Sequence, residues 1–312
     1  MFNKIIVTGG AGFIGGHITE TLVKQGYSVR VIDNLSTGKK ENLKSVINKI
    51  EFVQADIRDL EGLKNNFSEV DTVFHQAALR SVPASLKDPQ AYIDVNVIGT
   101  YNVLEAARVC GVKRVVFASS SSVYGDLQEL PQKEDKTGTR LSPYAISKYT
   151  GEDLCKYFWK TYELETVVLR YFNVFGARQD PFSQYAAVIP LFILALKEGK
   201  RPTIFGDGTQ TRDFTYVVNV VRANILAMNA KTAVGETINV ANGEGVSVND
   251  LFEQIRSVLN KDIKPICVSQ RKGDVKHTKA DTTELKKLGY EPAVSFDDAL
   301  RKTVEWHNVE YK

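Results

Sequence analysis

The first 120 residues alternate between two kinds of patterning, and that alternation restricts the fold more than any single motif. Five short apolar runs, KIIVTG (4–9), SVRVID (28–33), IEFVQAD (50–56), DTVFHQA (71–77) and RVVFASS (114–120), are rich in Val, Ile and Phe. Continuous apolar character marks strands that are covered on both faces. Helix-like stretches lie between them, over 12–25, 60–67 and 84–110. Strand–helix–strand repetition predicts a parallel sheet with right-handed crossovers, a doubly wound α/β layer.

A sixth strand is expected at TVVLRYF (166–172), and beyond residue 175 the rhythm loosens. Short strands (TIFG, ETINVA) mix there with helices near 185–198, 217–229, 247–259 and 297–307, punctuated by Pro190, Pro202, Pro265 and Pro292. The expected organisation is a Rossmann-type nucleotide-binding domain over 1–175 and a smaller mixed α/β substrate-binding region over 176–312. Some later segments are expected to pack back on the first domain. A ligand then belongs in the cleft outside the carboxyl ends of the strands. A net charge of +3 argues against nucleic acid or an anionic membrane as partner. No apolar run reaches membrane-spanning length, and no signal-peptide layout is expected. Cys110, Cys155 and Cys267 are odd in number and far apart, which fits a reducing cytoplasm. Four scattered histidines and no cysteine pair predict no metal site.

The first strand runs into TGGAGFIGGH, where Gly9, Gly12 and Gly15 are spaced by three. Glycine lets a backbone turn tightly and approach a pyrophosphate, and the helix that follows offers free N–H groups. The second strand ends in Asp33, about 20 residues beyond the loop, where a ribose contact is required. A carboxylate there repels a 2′-phosphate and favours NAD over NADP, although Lys39 and Lys40 lie nearby. Asp56 closes the third strand within reach of adenine, or serves only as a turn residue.

The fifth strand ends in four hydroxyls, Ser119 to Ser122, and LSPYAISKYTG follows at 141–151. On a helix Tyr144 and Lys148 share a face, one turn apart. A free tyrosine ionises near pH 10. The charges of Lys148 and an oxidised nicotinamide are expected to lower that value. So tuned, Tyr144 can take a proton from a substrate hydroxyl while a serine such as Ser120 holds the oxygen in line.

TGGAGFIG, the strand-end Asp33, SSSSVYG and SPYAISK together resemble an extended short-chain dehydrogenase/reductase of the nucleotide-sugar epimerase and dehydratase branch. HQAALRSVPAS (75–85), NVIGTYNVLEAA (96–107), RYFNVFG (170–176), FGDGTQTRDF (205–214) and RKGDVKHTKAD (271–281) extend the resemblance along the chain. It implies a catalytic set of Ser120, Tyr144 and Lys148. It implies NAD contacts from Gly9, Gly12, Phe13, Ile14, Gly15, Asp33, Asn34, Asp56, Ile57, Ala77, Asn96, Tyr144, Lys148 and Tyr171. For a UDP-sugar it implies Asn173 at the sugar or diphosphate, Phe205 against uracil, and Val188 bonding uracil through its backbone. Arg212 and Arg271 would neutralise the diphosphate and Asp274 would hold the ribose, with Arg80, Ser120, Ser121 and Thr278 at the sugar. It also implies a homodimer built on the helices at 84–110 and around Tyr144; Val103, Leu104, Ala107, Leu154 and Phe158 are compatible with such contacts, and buried core explains them about as well.

Dehydratases of this branch carry Asp-Glu immediately before Val-Tyr-Gly, and decarboxylases a Glu. Here Ser121 and Ser122 carry no ionisable group, which leaves 4-epimerisation. RKGDVKHTKAD resembles the segment of epimerases acting on UDP-N-acetylglucosamine, with the small Thr278 where restrictive relatives have a tyrosine. Excluding a group by bulk is easier than requiring it, so plain hexoses fit as well. Arg80 and Arg178 instead suit a uronate carboxylate, and SSSSVYG also resembles UDP-glucuronate 4-epimerases. A dehydrogenase that releases its reduced cofactor, or a non-catalytic NAD-binding regulator, completes the alternatives.

Overall fold

A computed structural model describes residues 4–182, 186–269 and 275–310. In its first part β1 (Lys4–Thr8), α1 (Phe13–Lys24), β2 (Ser28–Ile32), β3 (Ile50–Val53), α2 (Leu60–Asn66) and β4 (Thr72–His75) follow in order. Then come α3 (Val82–Lys87), α4 (Pro89–Tyr92), a π-helical stretch over Ile93–Ile98, α5 (Gly99–Val109), β5 (Arg114–Ser120), α6 (Pro143–Tyr162) and β6 (Glu165–Tyr171). The second part contains β7 (Val174–Phe175), α7 (Val188–Lys197), β8 (Thr203–Phe205), β9 (Thr211–Arg212), β10 (Thr215–Tyr216), α8 (Val217–Asn229) and β11 (Thr237–Val240). It ends in β12 (Val246–Ser247), α9 (Val248–Val258), β13 (Ile266–Val268), α10 (Thr283–Lys287) and α11 (Phe296–Glu310).

Seven strands form one parallel sheet in the order β11-β6-β5-β4-β1-β2-β3. Successive side chains of a strand point to opposite faces. Ile5 and Val7 therefore join Ile18 and Leu22 of α1 and Val220 and Ala227 of α8 on one face. Ile6 joins Leu63 of α2, Val103 and Leu104 of α5, and Phe158 of α6 on the other. Both faces are covered, which is why the strands read as continuous apolar runs. Helix α8 and strand β11 lie beyond residue 175 in sequence and pack on the sheet. A separate cluster around Phe175, Phe192, Phe214, Phe252 and Val304 forms the core of the substrate half.

The expected single helix over 84–110 is broken. Pro89 has no N–H to continue α3, and the preceding Asp88 takes an extended backbone (φ −136°, ψ 77°). The Asp88 carboxylate then accepts the Ala91 N–H at 3.2 Å and starts α4. The candidate dimer contacts Val103, Leu104, Ala107 and Phe158 are also reassigned: they are at most 1% exposed, in the core beneath the sheet, and Leu154 packs against that core. A helix face that is apolar in sequence meets the sheet before it meets a partner.

Candidate active site

The sheet order reverses between β1 and β4, and the glycine turn, Asp33 and the serine run all sit at carboxyl strand ends. Gly9 has φ +67°, and a Cβ there would stand 2.6 Å from the Ala77 nitrogen. A Cβ on Gly15 would stand 2.2 Å from the Gly9 oxygen. Gly12 caps α1 without a side chain, so the N–H groups of Phe13 and Ile14 have no side-chain acceptor at the helix start. Asp33 is buried at the end of β2 and accepts the N–H of Ala11 at 3.0 Å and of Leu35 at 2.8 Å. Burial pushes this carboxyl up, and those two bonds oppose it.

Helix α6 begins at Ser142, whose hydroxyl accepts the Ala145 N–H at 3.1 Å with Pro143 in the first turn. That start places Tyr144 and Lys148 against the end of β5. The Ser120 hydroxyl accepts the Ser122 N–H at 3.2 Å and lies on the Tyr144 phenol's side of the strand end. Burial pushes the phenol above the ordinary tyrosine value; Ser120 and the Arg80 charge act against burial, and Tyr92 acts with it. The expected lowering of Tyr144 by Lys148 is not found. Lys148 is buried, its Nζ donates to the Ala118 carbonyl at 2.8 Å, and it lies 5.1 Å from the Phe117 ring centre. Burial pulls this amine down to about 8, opposed by Cys155 and Glu152. The ammonium donates to strand β5, and the charge of Arg80 in the neighbouring loop acts on the phenol against burial.

In the substrate half Asn173 donates to the Asp213 carbonyl at 3.0 Å, and the Asp213 N–H donates to the Thr278 hydroxyl at 3.3 Å. The buried Asp213 carboxylate in turn accepts the N–H groups of Asn242, Gly243 and Ala280 at 2.9–3.1 Å. Asn173 and Thr278 are thereby brought to one hub. Arg212 stands beside it on β9, Phe205 ends β8, and Val188 opens α7. Arg271 and Asp274 lie outside the described residues. Arg178 pairs with Glu20 at 2.7 Å and donates to the Asn42 carbonyl at 2.9 Å, so it ties its loop to α1.

The model of the NAD dependent epimerase/dehydratase family matches residues 5–241. The chain belongs to this family. It is similar in structure to a UDP-N-acetylglucosamine 4-epimerase from Methanobrevibacter ruminantium M1 in complex with UDP-N-acetylmuramic acid, with TM-score 0.95, 42% identity and 99% of each chain covered. It is also similar to a UDP-glucuronic acid 4-epimerase from Bacillus cereus in complex with UDP-glucuronic acid and NAD, with TM-score 0.91, 34% identity, and 98% of this chain and 99% of that one covered. A UDP-glucose 4-epimerase from Mycolicibacterium smegmatis is 38% identical over 97% of this chain and 98% of its own.

The family's cofactor is NAD, and the residues present fit it. The turn of Gly9, Gly12 and Gly15 leaves no room for a Cβ at two of its three positions, and the uncapped N–H groups of α1 suit a pyrophosphate. Asp33 keeps lone pairs free for ribose hydroxyls beyond its two backbone bonds. Lys39 pairs with Asp180 at 2.9 Å and Lys40 lies over the Phe52 ring, so both cations are engaged away from a 2′-phosphate. Asp56 is held well below the carboxylate range, first by its bond from Arg58, and accepts from Asn34 at 2.9 Å. Asn96 and Ile57, two expected contacts, have buried side chains. The Asn96 amide bonds both backbone groups of Leu79 and the Ser147 hydroxyl, and the Ile57 side chain is in the core. Tyr171 is buried at the end of β6 between Gln76 and Asn224.

Sequence reasoning missed Glu152 and Arg170, a fully buried pair directly behind the catalytic groups. The available signal was spacing: Tyr144, Lys148 and Glu152 recur every four residues on α6.

Among the described residues no helix is long and apolar enough to cross a membrane, and none of their side chains cluster as metal ligands.

Proposed function

We propose that this chain, an NAD-dependent UDP-sugar 4-epimerase, interconverts UDP-N-acetylglucosamine and UDP-N-acetylgalactosamine. The observation that carries the choice of sugar is Thr278, a small side chain whose hydroxyl accepts the Asp213 N–H and which has less bulk to set against an N-acetyl group than a tyrosine would. The M. ruminantium relative, a UDP-N-acetylglucosamine 4-epimerase, supports the same reading. When bound, NAD accepts hydride from the sugar's C4 and returns it to the opposite face. Tyr144 takes the proton of the 4-hydroxyl as C4 becomes a ketone, and gives it back after the sugar has turned over in the site. Ser120 holds the C4 oxygen against the phenol. Ser121 and Ser122 offer no acid or base for chemistry at C5 or C6, so the reaction ends at the epimer.

One observation favours UDP-glucuronate as a second reading: Arg80 is exposed and its charge reaches Tyr144. Arg178 gives that reading no support, because Glu20 already neutralises it. The test is an NMR time course of the purified enzyme with UDP-N-acetylglucosamine and, separately, UDP-glucuronate, with and without added NAD. A galacto product from the N-acetyl sugar is the expected result. Product from the glucuronate alone would transfer the assignment to Arg80.

The same reading includes a homodimer. Ile98, Tyr101, Ile146, Tyr157 and Tyr162 are 41–48% exposed on the π-helical stretch, α5 and α6. The rings of Tyr101, Tyr157 and Tyr162 all lie within 6 Å of the Phe158 ring, which makes one aromatic patch. Sedimentation equilibrium is expected to give twice the 34.8 kDa chain mass, and Tyr101→Asp to shift it toward the monomer. A wild-type chain that sediments as a monomer at micromolar concentration would remove the dimer.

A further inference from the structure

Helix α6 grips the end of β5 with three side chains on successive turns. Tyr144 faces the Ser120 hydroxyl, Lys148 donates to the Ala118 carbonyl at 2.8 Å, and Glu152 accepts the hydroxyl of Ser119. The third grip is the most deeply buried. Glu152 has no exposed surface, and Arg170 binds it bidentately at 2.9 and 2.7 Å. Arg170 also donates to the Glu134 carbonyl at 3.1 Å and lies 4.9 Å from the Tyr124 ring centre. An ion pair without access to water adds little net stability compared with apolar residues of the same volume. Its position beside the reacting groups gives it another use.

We infer that Glu152 is a positioning residue of the reaction: through Ser119 it sets where the Ser120 hydroxyl meets the Tyr144 phenol, and its carboxylate supplies the negative charge beside the Lys148 ammonium. The inference rests on the epimerase reading for Ser120 and Tyr144. The groups facing Lys148 are few. Helix α6 contributes Tyr144, Glu152 and Cys155; β5 contributes the Ala118 carbonyl and the Phe117 ring; β4 contributes His75, whose imidazole is pushed down to about 3 by burial first and then by Lys148 itself. Strand β6 adds Arg170, bound to Glu152. Glu152 is the one carboxylate among these neighbours; Cys155 precedes it in holding the amine up, and Arg170 shares its charge.

The two roles separate by mutation. Ser119→Ala removes the third grip and leaves the ion pair; kcat is expected to fall about tenfold with KM and Tm unchanged, since a small misplacement of a reacting group has that scale of effect. Glu152→Gln removes the charge. The Lys148 titration, followed by NMR of protein carrying ¹³Cε-lysine, is expected to move to lower pH in Glu152→Gln and to stay in place in Ser119→Ala. Glu152→Asp restores the charge without the reach, and is expected to restore the titration but not kcat. Wild-type kcat in Ser119→Ala would overturn the positioning role, and an unmoved Lys148 midpoint in Glu152→Gln would overturn the electrostatic one. Should Glu152→Gln not fold with Arg170 left unpaired, Ser119→Ala and Glu152→Asp still decide the positioning role. The NMR titration needs no substrate, so a wild-type enzyme inactive on every UDP-sugar would sink the epimerase reading and not the Lys148 result.

Discussion

Tyr144→Phe is expected to lower kcat for 4-epimerisation by about a thousandfold while leaving NAD content and UDP-sugar affinity near the wild-type level. The substitution removes one oxygen and keeps the ring. That ring sits edge-on to Tyr92 with centroids 6.2 Å apart and is nearly buried, so phenylalanine keeps the packing and loses only the proton carrier. The Ser120 hydroxyl keeps its bond from the Ser122 N–H, so the strand end holds its shape. The loss therefore falls on the step in which the 4-hydroxyl proton moves. The NMR time course with each UDP-sugar reads kcat, and release of NAD from heat-denatured protein reads cofactor content. Activity within tenfold of wild type would remove Tyr144 from its role. An equal loss of NAD would show that the substitution had damaged the pocket instead.

Gly15→Ala is expected to cost more in cofactor than any substitution at Asp33. Its Cβ would lie 2.2 Å from the Gly9 oxygen and 2.9 Å from the Gly10 Cα, both of them backbone atoms in the turn that receives the pyrophosphate. No rotamer change relieves such a contact; the strand-to-helix turn itself has to open, at roughly 1–3 kcal/mol. Purified Gly15→Ala is expected to carry less than a tenth of the wild-type NAD and to melt several degrees lower. Gly12→Ala is the internal control. Its Cβ meets only the Gly9 oxygen, at 3.1 Å, and a milder loss is expected there. A Gly15→Ala protein with full NAD and an unchanged melting temperature would mean that the turn does not hold the cofactor as described.

The sheet and most helices were legible because a strand covered on both faces and an amphipathic helix have different periods. The expected helices at 217–229 and 247–259 appear within a residue of their observed ends. Residues 84–110 misled because apolar spacing continues through Pro89, while the backbone at Asp88 cannot. The proposed catalytic trio was legible because Ser120, Tyr144 and Lys148 sit in short motifs at a strand end and a helix start. Glu152 and Arg170 were not. A charged residue on a helix or strand ordinarily faces water, and only the third dimension shows these two facing each other. The setting of Lys148 was hidden for a related reason: spacing of four puts Lys148 on the right face, but not which acceptor its ammonium reaches.

The pairing of β11 with β6 fixes an order of events in the life of the chain. Residues 4–171 can emerge from the ribosome and lay down six strands, yet β6 keeps an unsatisfied edge until residues 237–240 have been made. The segment between those points, which carries Asn173, Val188, Phe205 and Arg212, is closed off by that pairing. A nascent chain halted between residues 171 and 237 would carry a finished glycine turn on an unfinished sheet.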